Sequence, residues 1–244
     1  MLARLVLLAS LHLIKRYLSK THMQNFSYAH KNTRDGERTT PTALFNKPKI
    51  SDSLAQIRSQ ACDREIPVSD DETLCFLQTV LSAVQPKHIL ELGTAVGVSG
   101  AAMLDICRTA HLTTVERDQG FYNEAQTNFA GLGLCDRVTQ ILGDAGEVIN
   151  TLSENSFDFI FMDCAKVQYV KYLPRLKRLL KRGGTLIADD ILLFGYVTGE
   201  EEVPPKRKML VEHIKEYITA VTNDCELQTT IINIGNGVAL SVKL

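Results

Sequence analysis

Hydrophobic positions along this chain follow two periods, and the periods alternate. Ile50, Leu54, Ile57 and Ala61 recur at helical spacing. "SDDETLCFLQTVLSAVQP" repeats that spacing with Leu74, Leu77, Leu81 and Val84. Ser69 and Glu72 read as a capping box at its start, and Pro86 ends it. "HILEL" (88–92) is a short apolar run bounded by glycine, the pattern of a buried strand. Glycines 93, 97 and 100 follow, then a helix through "AAMLDICR". Further strands are predicted over 112–116, 137–142, 157–163 and 184–190, and helices over 118–132, 146–153, 167–181 and about 205–222. "LQTTIINI" and "GVALSVKL" close the chain as two strands around Gly235-Asn236-Gly237, a hairpin signal.

Strands alternating with helices predict an α/β fold: a Rossmann-like, doubly wound, seven-stranded sheet, mostly parallel, with a C-terminal antiparallel hairpin strand. In such sheets ligands bind beyond the carboxyl ends of the strands. The residues just after each strand are therefore the ones to read.

The first strand runs into "ELGTAVGVSG", a turn that lets a ligand approach the backbone. Three residues separate Gly93 from Gly97, so this is not the G-x-G-x-x-G of nicotinamide dinucleotide sites. The second strand ends in Glu116, about twenty positions past the glycines, where an acid can accept ribose hydroxyls. After the third strand, Asp144 of "GDA" can hydrogen-bond an adenine amino group. Either acid alone could instead cap a helix. Two of them, after a glycine turn, favour an adenosine-bearing cofactor.

The fourth and fifth strands end in Asp163 and in Asp189-Asp190. Parallel pairing puts these on one edge, where three carboxylates repel unless a cation sits between them. Hard oxygen donors of this kind suit Mg²⁺ or Ca²⁺. The competing explanation is a helix cap at Asp163 and a loop start at the pair. Lys166 stands three residues past Asp163, at a helix N-terminus where the dipole does not favour it.

Composition changes this picture little; charge distribution changes it more. The chain has 244 residues and a net charge of −1, which names no partner. Residues 1–49 hold nine Lys or Arg against Asp35 and Glu37, so subtracting that +7 from −1 leaves −8 for residues 50–244. Residues 1–49 are expected to be a disordered basic extension, a targeting segment, or the product of a start misplaced upstream of Met23; residues 50–244 are the expected domain. No stretch is long enough to span a membrane. Six cysteines show no C-x-x-C pair and no zinc spacing, which suggests a reducing, cytoplasmic setting.

The run "ILELGTAVGVSG…TTVERD…GDA…FDFIFMDCAKVQYVKYL…LLKRGGTLIADDILLFGYV…IGNGVALSVK" resembles the metal-dependent class I S-adenosylmethionine O-methyltransferases, the catechol and caffeoyl-coenzyme A group. It is most similar to the bacterial branch acting on tRNA 5-hydroxyuridine, through "MDCAKVQY", "DDILLFGYV" and "EVPPKRK". The resemblance implies that Glu91 and Gly93 line the methionine part of S-adenosylmethionine and that Ser99 contacts its carboxylate region. It gives the ribose to Glu116, the adenine to Asp144 and Ala145, and Mg²⁺ to Asp163, Asp189 and Asp190. Asp163 would also border the cofactor and, with Lys166, the reacting hydroxyl. Two departures stand out: Asp189-Asp190 where the family usually has Asp-Asn, and "IGNGV" for the usual "GDGL".

The expected reaction is displacement at a sulfonium carbon by an oxyanion, with Mg²⁺ lowering the hydroxyl pKa and Lys166 as base or steering charge. Wobble 5-hydroxyuridine of tRNA is the first expected methyl acceptor, converted to 5-methoxyuridine. Lys206, Arg207 and Lys208 are then candidate phosphate contacts, joined by Lys171, Arg175, Lys177, Arg178, Lys181 and Arg182 on the preceding helix unless these form a solvated face. A small catechol-like or caffeoyl-coenzyme A-like acceptor is the alternative. Relatives are commonly dimers, so a homodimer is expected. "LLFGYV" reads as an exposed apolar loop over the substrate or against a second subunit.

Overall fold

The computed structural model describes residues 46–244. Its strands are β1 (His88–Leu92), β2 (His111–Glu116), β3 (Val138–Leu142), β4 (Phe157–Met162), β5 (Leu180–Ala188), β6 (Leu227–Ile232) and β7 (Val238–Lys243). They form one seven-stranded sheet in the order β3-β2-β1-β4-β5-β7-β6. The first five run parallel, and β7 lies antiparallel to both β5 and β6. The architecture is the one the alternating pattern predicts. The connecting helices are α1 (Asp52–Asp63), α2 (Asp71–Val84), α3 (Val98–Ile106), α4 (Gln119–Gly131), α5 (Ala145–Thr151), α6 (Tyr169–Leu179) and α7 (Lys208–Thr222). No helix among the described residues is long and apolar enough to cross a membrane.

Strand alternation divides the core into two layers. Ile89, Leu112, Phe159, Phe161 and Ile187 face α1 to α4, with Leu74, Leu77, Leu81 and Phe129. Leu90, Leu92, Ile160, Met162 and Leu186 face α5 to α7, with Leu173, Leu176 and Ile214. The same parity puts Glu91 on the α3 side, level with Thr114 across the β1–β2 pair.

Local details depart from the sequence reading. The N-cap of α2 is Asp70, whose carboxylate accepts from Thr73 N at 2.7 Å; Ser69 is displaced from that role. Aspartate caps as well as serine does, so adjacent candidates compete. Glu72 does not close a capping box. Its two oxygens accept from Asn46 Nδ2 and from Gly235 N instead. Helix α6 stops at Leu179 and β5 begins at once, entering the sheet through a bulge between Leu180 and Thr185. The fold also begins before Ile50: Gln78 grips Lys49 by both backbone groups, at 2.8 Å each. The remainder of the expected extension, residues 1–45, lies outside the described residues.

Two positions contrast sharply. Gly93 has φ +100°, and a Cβ there would stand 2.1 Å from the Asp163 carbonyl oxygen. That contact is with backbone hydrogen-bonded into the sheet, so Gly93→Ala is expected to cost about 3 kcal/mol or more. Tyr217 is the opposite case. Its ring packs edge-on against Tyr169 with centroids 5.4 Å apart, but its buried hydroxyl has no partner. Tyr217→Phe should therefore leave stability unchanged or raise it by up to about 1 kcal/mol. Denaturant unfolding of both variants checks the contrast.

Candidate active site

Backbone bonds carry the sheet pattern one residue past each strand and line up the candidate side chains. Gly143 N donates to Glu116 O, Gly93 N to Val115 O, Asp163 N to Leu92 O, and Asp189 N to Met162 O. Glu116, Gly93, Asp163 and Asp189 therefore sit side by side along one sheet edge. The next neighbour is the β6–β7 turn. Ile191 N donates to Gly237 O and Leu192 N to Asn236 O. Gly237 has φ +90° and lies so close to Leu192 that a Cβ would meet its Cγ at 2.2 Å. The Gly235-Asn236-Gly237 turn thus supports the segment after Asp190, as well as joining two strands.

At the α3 end of this edge, Glu91 is fully buried. Ser99 Oγ donates to its Oε1 and Thr114 Oγ1 to its Oε2, both at 2.6 Å. Thr94 Oγ1 extends the chain to Thr114 at 2.5 Å. Burial, joined by the charges of Asp163 and Glu116, raises the Glu91 pKa to about 7, against these hydroxyls, which favour the anion. Glu116 accepts from Ala95 N on one oxygen and from Arg117 N and Asp118 N on the other, each at 2.9 Å. Three of roughly four carboxylate acceptor sites are thereby filled by backbone. Asp144 does cap α5, accepting from Gly146 N at 2.8 Å, with Ala145 as the first helical residue.

At the other end, Lys166 binds two of the aspartates together. Its Nζ is 2.5 Å from Asp163 Oδ1 and 3.0 Å from Asp190 Oδ2. Burial pulls the Lys166 pKa down. The charges of Asp163, Tyr169 and Asp190 outweigh it and hold the group well above the ordinary lysine range. Lys166 is therefore an ammonium here, the form that steers charge rather than takes a proton. Asp189 is buried, and its Oδ1 accepts from Asp190 N at 2.8 Å and from Thr73 Oγ1 at 3.4 Å. Burial, then the charges of Asp190 and Asp163, push its pKa well up. Asp190 has φ +57°, a region where Asp and Asn are tolerated better than most side chains.

Sequence reasoning expected a divalent ion among these three carboxylates; the structure places the Lys166 ammonium between Asp163 and Asp190. Among the described residues no three carboxylate, imidazole or thiol groups form a ready-made metal cage. The donors nevertheless fit a hard divalent ion in kind and charge: all are oxygens, and three aspartates face one ammonium.

Several contributors carried no readable signal. Tyr169 OH donates to Met162 O at 2.9 Å and approaches Asp189 O at 3.3 Å, tying the ends of β4 and β5. Thr73 reaches Asp189 from α2. The Ser69 hydroxyl is buried without a partner, an unclaimed hydrogen-bonding group just before the α2 N-terminus. The "LLFGYV" segment is not exposed: Leu193 is buried, and Phe194 and Tyr196 are half-buried. The Arg207 guanidinium lies 5.4 Å from the Phe194 ring centroid and 5.6 Å from that of Tyr196, which keeps the segment folded back over the start of α7. The α6 cations are largely committed. Arg175 and Arg178 pair with Glu154, Lys177 with Asp224 and Glu226, and Lys181 at the start of β5 with Asp158.

The profile of the O-methyltransferase family matches residues 44–244. A caffeoyl-CoA O-methyltransferase of Populus kitakamiensis is 29% identical over 186 residues, covering 73% of this chain and 78% of that one. A catechol O-methyltransferase of Mycobacterium tuberculosis is 28% identical over 166 residues, covering 66% and 73%. The SAH-bound Podospora anserina methyltransferase PaMTH1 shares the fold, with TM-score 0.73 at 23% identity over 83% of this chain and 92% of that one. The chain belongs to the O-methyltransferase family. It is an S-adenosylmethionine-dependent methyltransferase.

The Glu91 environment makes a pH prediction. An acid whose folded pKa is raised gives stability that is intact below its unfolded pKa and lost as pH rises through the folded one. For Glu91 that window runs from 4.5 to about 7. Without cofactor, the protein should therefore lose about 3 kcal/mol relative to Glu91→Gln between pH 4.5 and pH 8. Denaturant titrations of both proteins at the two pH values measure the difference.

Proposed function

We propose that this enzyme methylates one of two vicinal oxygens on a small catechol-like or caffeoyl-coenzyme A-like molecule, with a divalent ion, Mg²⁺ by preference, held by Asp163, Asp189 and Asp190. The observation that carries the reading is Lys166 between the strand-end carboxylates, beside the edge where Glu91, Gly93, Glu116 and Asp144 line up. The named relatives support the same acceptor class. S-Adenosylmethionine supplies the methyl group as a sulfonium, and the divalent ion, when bound, lowers the pKa of the acceptor hydroxyl.

The chain's own residues supply position and charge. Glu91, Ser99 and Gly93 form the wall for the methionine part of the cofactor, with Glu91 as an anionic partner for a cationic group. Glu116 offers its remaining lone pair to the ribose; Asp144 and Ala145 border the adenine. Lys166, kept as an ammonium, stabilises the oxyanion formed when the acceptor hydroxyl releases its proton to solvent, rather than abstracting that proton itself. Tyr169 and Thr73 hold the aspartates in register. The rigid sheet edge keeps donor and acceptor within reach, which is where most of a one-step displacement's acceleration arises.

A second acceptor, 5-hydroxyuridine in tRNA, has one favourable observation: Lys206 and Lys208 are exposed on either side of Arg207, next to the Phe194–Tyr196 segment. The paired cations of α6 give it no further support.

Lys166→Ala should lower turnover by about 100-fold or more while cofactor affinity stays within about twofold. Isothermal titration with S-adenosylhomocysteine and a methylation assay measure the two quantities. Chelation should abolish methylation of catechol and caffeoyl-coenzyme A, and Mg²⁺ should restore it. Raising salt from 50 to 200 mM should leave small-acceptor turnover nearly unchanged, whereas a tRNA substrate would lose orders of magnitude in binding. Efficient, salt-sensitive methylation of 5-hydroxyuridine tRNA with no activity on catechols would reverse the assignment.

A further inference from the structure

We propose that Lys166 is a competing cation: its ammonium bridges Asp163 and Asp190, and it leaves them when a divalent ion takes its place. The inference rests on the reading of Asp163, Asp189 and Asp190 as ion ligands.

The bridge occupies one oxygen of each of two aspartates assigned to the ion. Nζ lies 2.5 Å from Asp163 Oδ1 and 3.0 Å from Asp190 Oδ2. Asp189 has already committed Oδ1 to Asp190 N and Thr73 Oγ1. An ammonium and a dication cannot both lie in contact with the same two oxygens, because like charges at that separation repel strongly in a partly buried site. A dication drawing on both aspartates would therefore compete with Lys166 for them.

The local structure lets it do so. Lys166 opens a single 3₁₀ turn, and its long unbranched stem can swing without moving backbone. The Tyr169 ring, with its centroid 6.0 Å from Nζ, remains beside the displaced ammonium as a cation–π face. The arrangement has two consequences. Without the ion, Lys166 relieves the repulsion among three carboxylates. With the ion, the freed ammonium becomes available to the methyl acceptor's oxygen, so ion binding and completion of the site are one event.

A competition follows, and it reverses the usual result of mutating a site residue. Mn²⁺ binding to the full chain, without cofactor or acceptor, is measured by electron paramagnetic resonance of the free ion. Lys166→Met and Lys166→Gln should bind Mn²⁺ about tenfold or more tightly than wild type, although both lose turnover. In wild type, reductive methylation of Lys166 followed by peptide mass spectrometry should speed up severalfold when Mg²⁺ is added, because the ammonium is released from its ion pairs. Equal or weaker Mn²⁺ affinity in the variants, or Lys166 labelling unchanged by Mg²⁺, overturns the inference and leaves the metal assignment standing. A wild type that binds no Mn²⁺ overturns both. Should the variants fail to fold, the wild-type labelling result decides alone.

Discussion

The site depends on backbone register at the carboxyl edge of the sheet. Asp163 N bonds to Leu92 O and Asp189 N to Met162 O, so neighbouring strands must end level with one another. A one-residue slip in β4 or β5 would turn the aspartates to the other face. Gly93 enforces the level from the β1 side, because its backbone passes against the Asp163 carbonyl. Tyr169 enforces it from the α6 side by bonding to both strand ends. The chemistry is thus positioned by main-chain bonds in a buried parallel sheet.

That rigidity makes the charge arrangement possible. Folding brings Asp163, Asp189 and Asp190 to one end of the sheet, and burial discourages the charged form of Asp189. Lys166 compensates two of them from within the chain. A site that supplies its own counter-charge offsets part of the repulsion among its carboxylates, and under the proposed function it would compete with the ion for them. The two functions assigned to Lys166, guarding empty carboxylates and steering an oxyanion, need the same property: a permanent positive charge on a flexible stem.

Period and punctuation made the architecture legible, because seven short apolar runs separated by amphipathic helices leave few topologies open. Asp163 and Asp189 were legible for the same reason, as polar residues ending apolar strands. Boundaries were less so. Ser69 and Asp70 are both good caps, and only packing chose Asp70. The contacts of Thr73, Tyr169 and the Gly235–Gly237 turn with the site join residues far apart in the chain, and no local pattern announces them. The α6 cations illustrate the reverse error. Their spacing suggested a basic surface, but partners in Glu154, Asp224 and Glu226 come from other segments. The state of Lys166 was hidden because its environment exists only once β4 and β5 are paired.

The most direct test of the account is diffraction from crystals grown with S-adenosylhomocysteine and soaked in Mn²⁺, with data collected near the manganese absorption edge. The account predicts one strong anomalous peak coordinated by Asp163, Asp189 and Asp190, with Lys166 Nζ withdrawn from both carboxylates. A map with no peak there, and Lys166 still bridging Asp163 and Asp190 in the presence of saturating Mn²⁺, would contradict it.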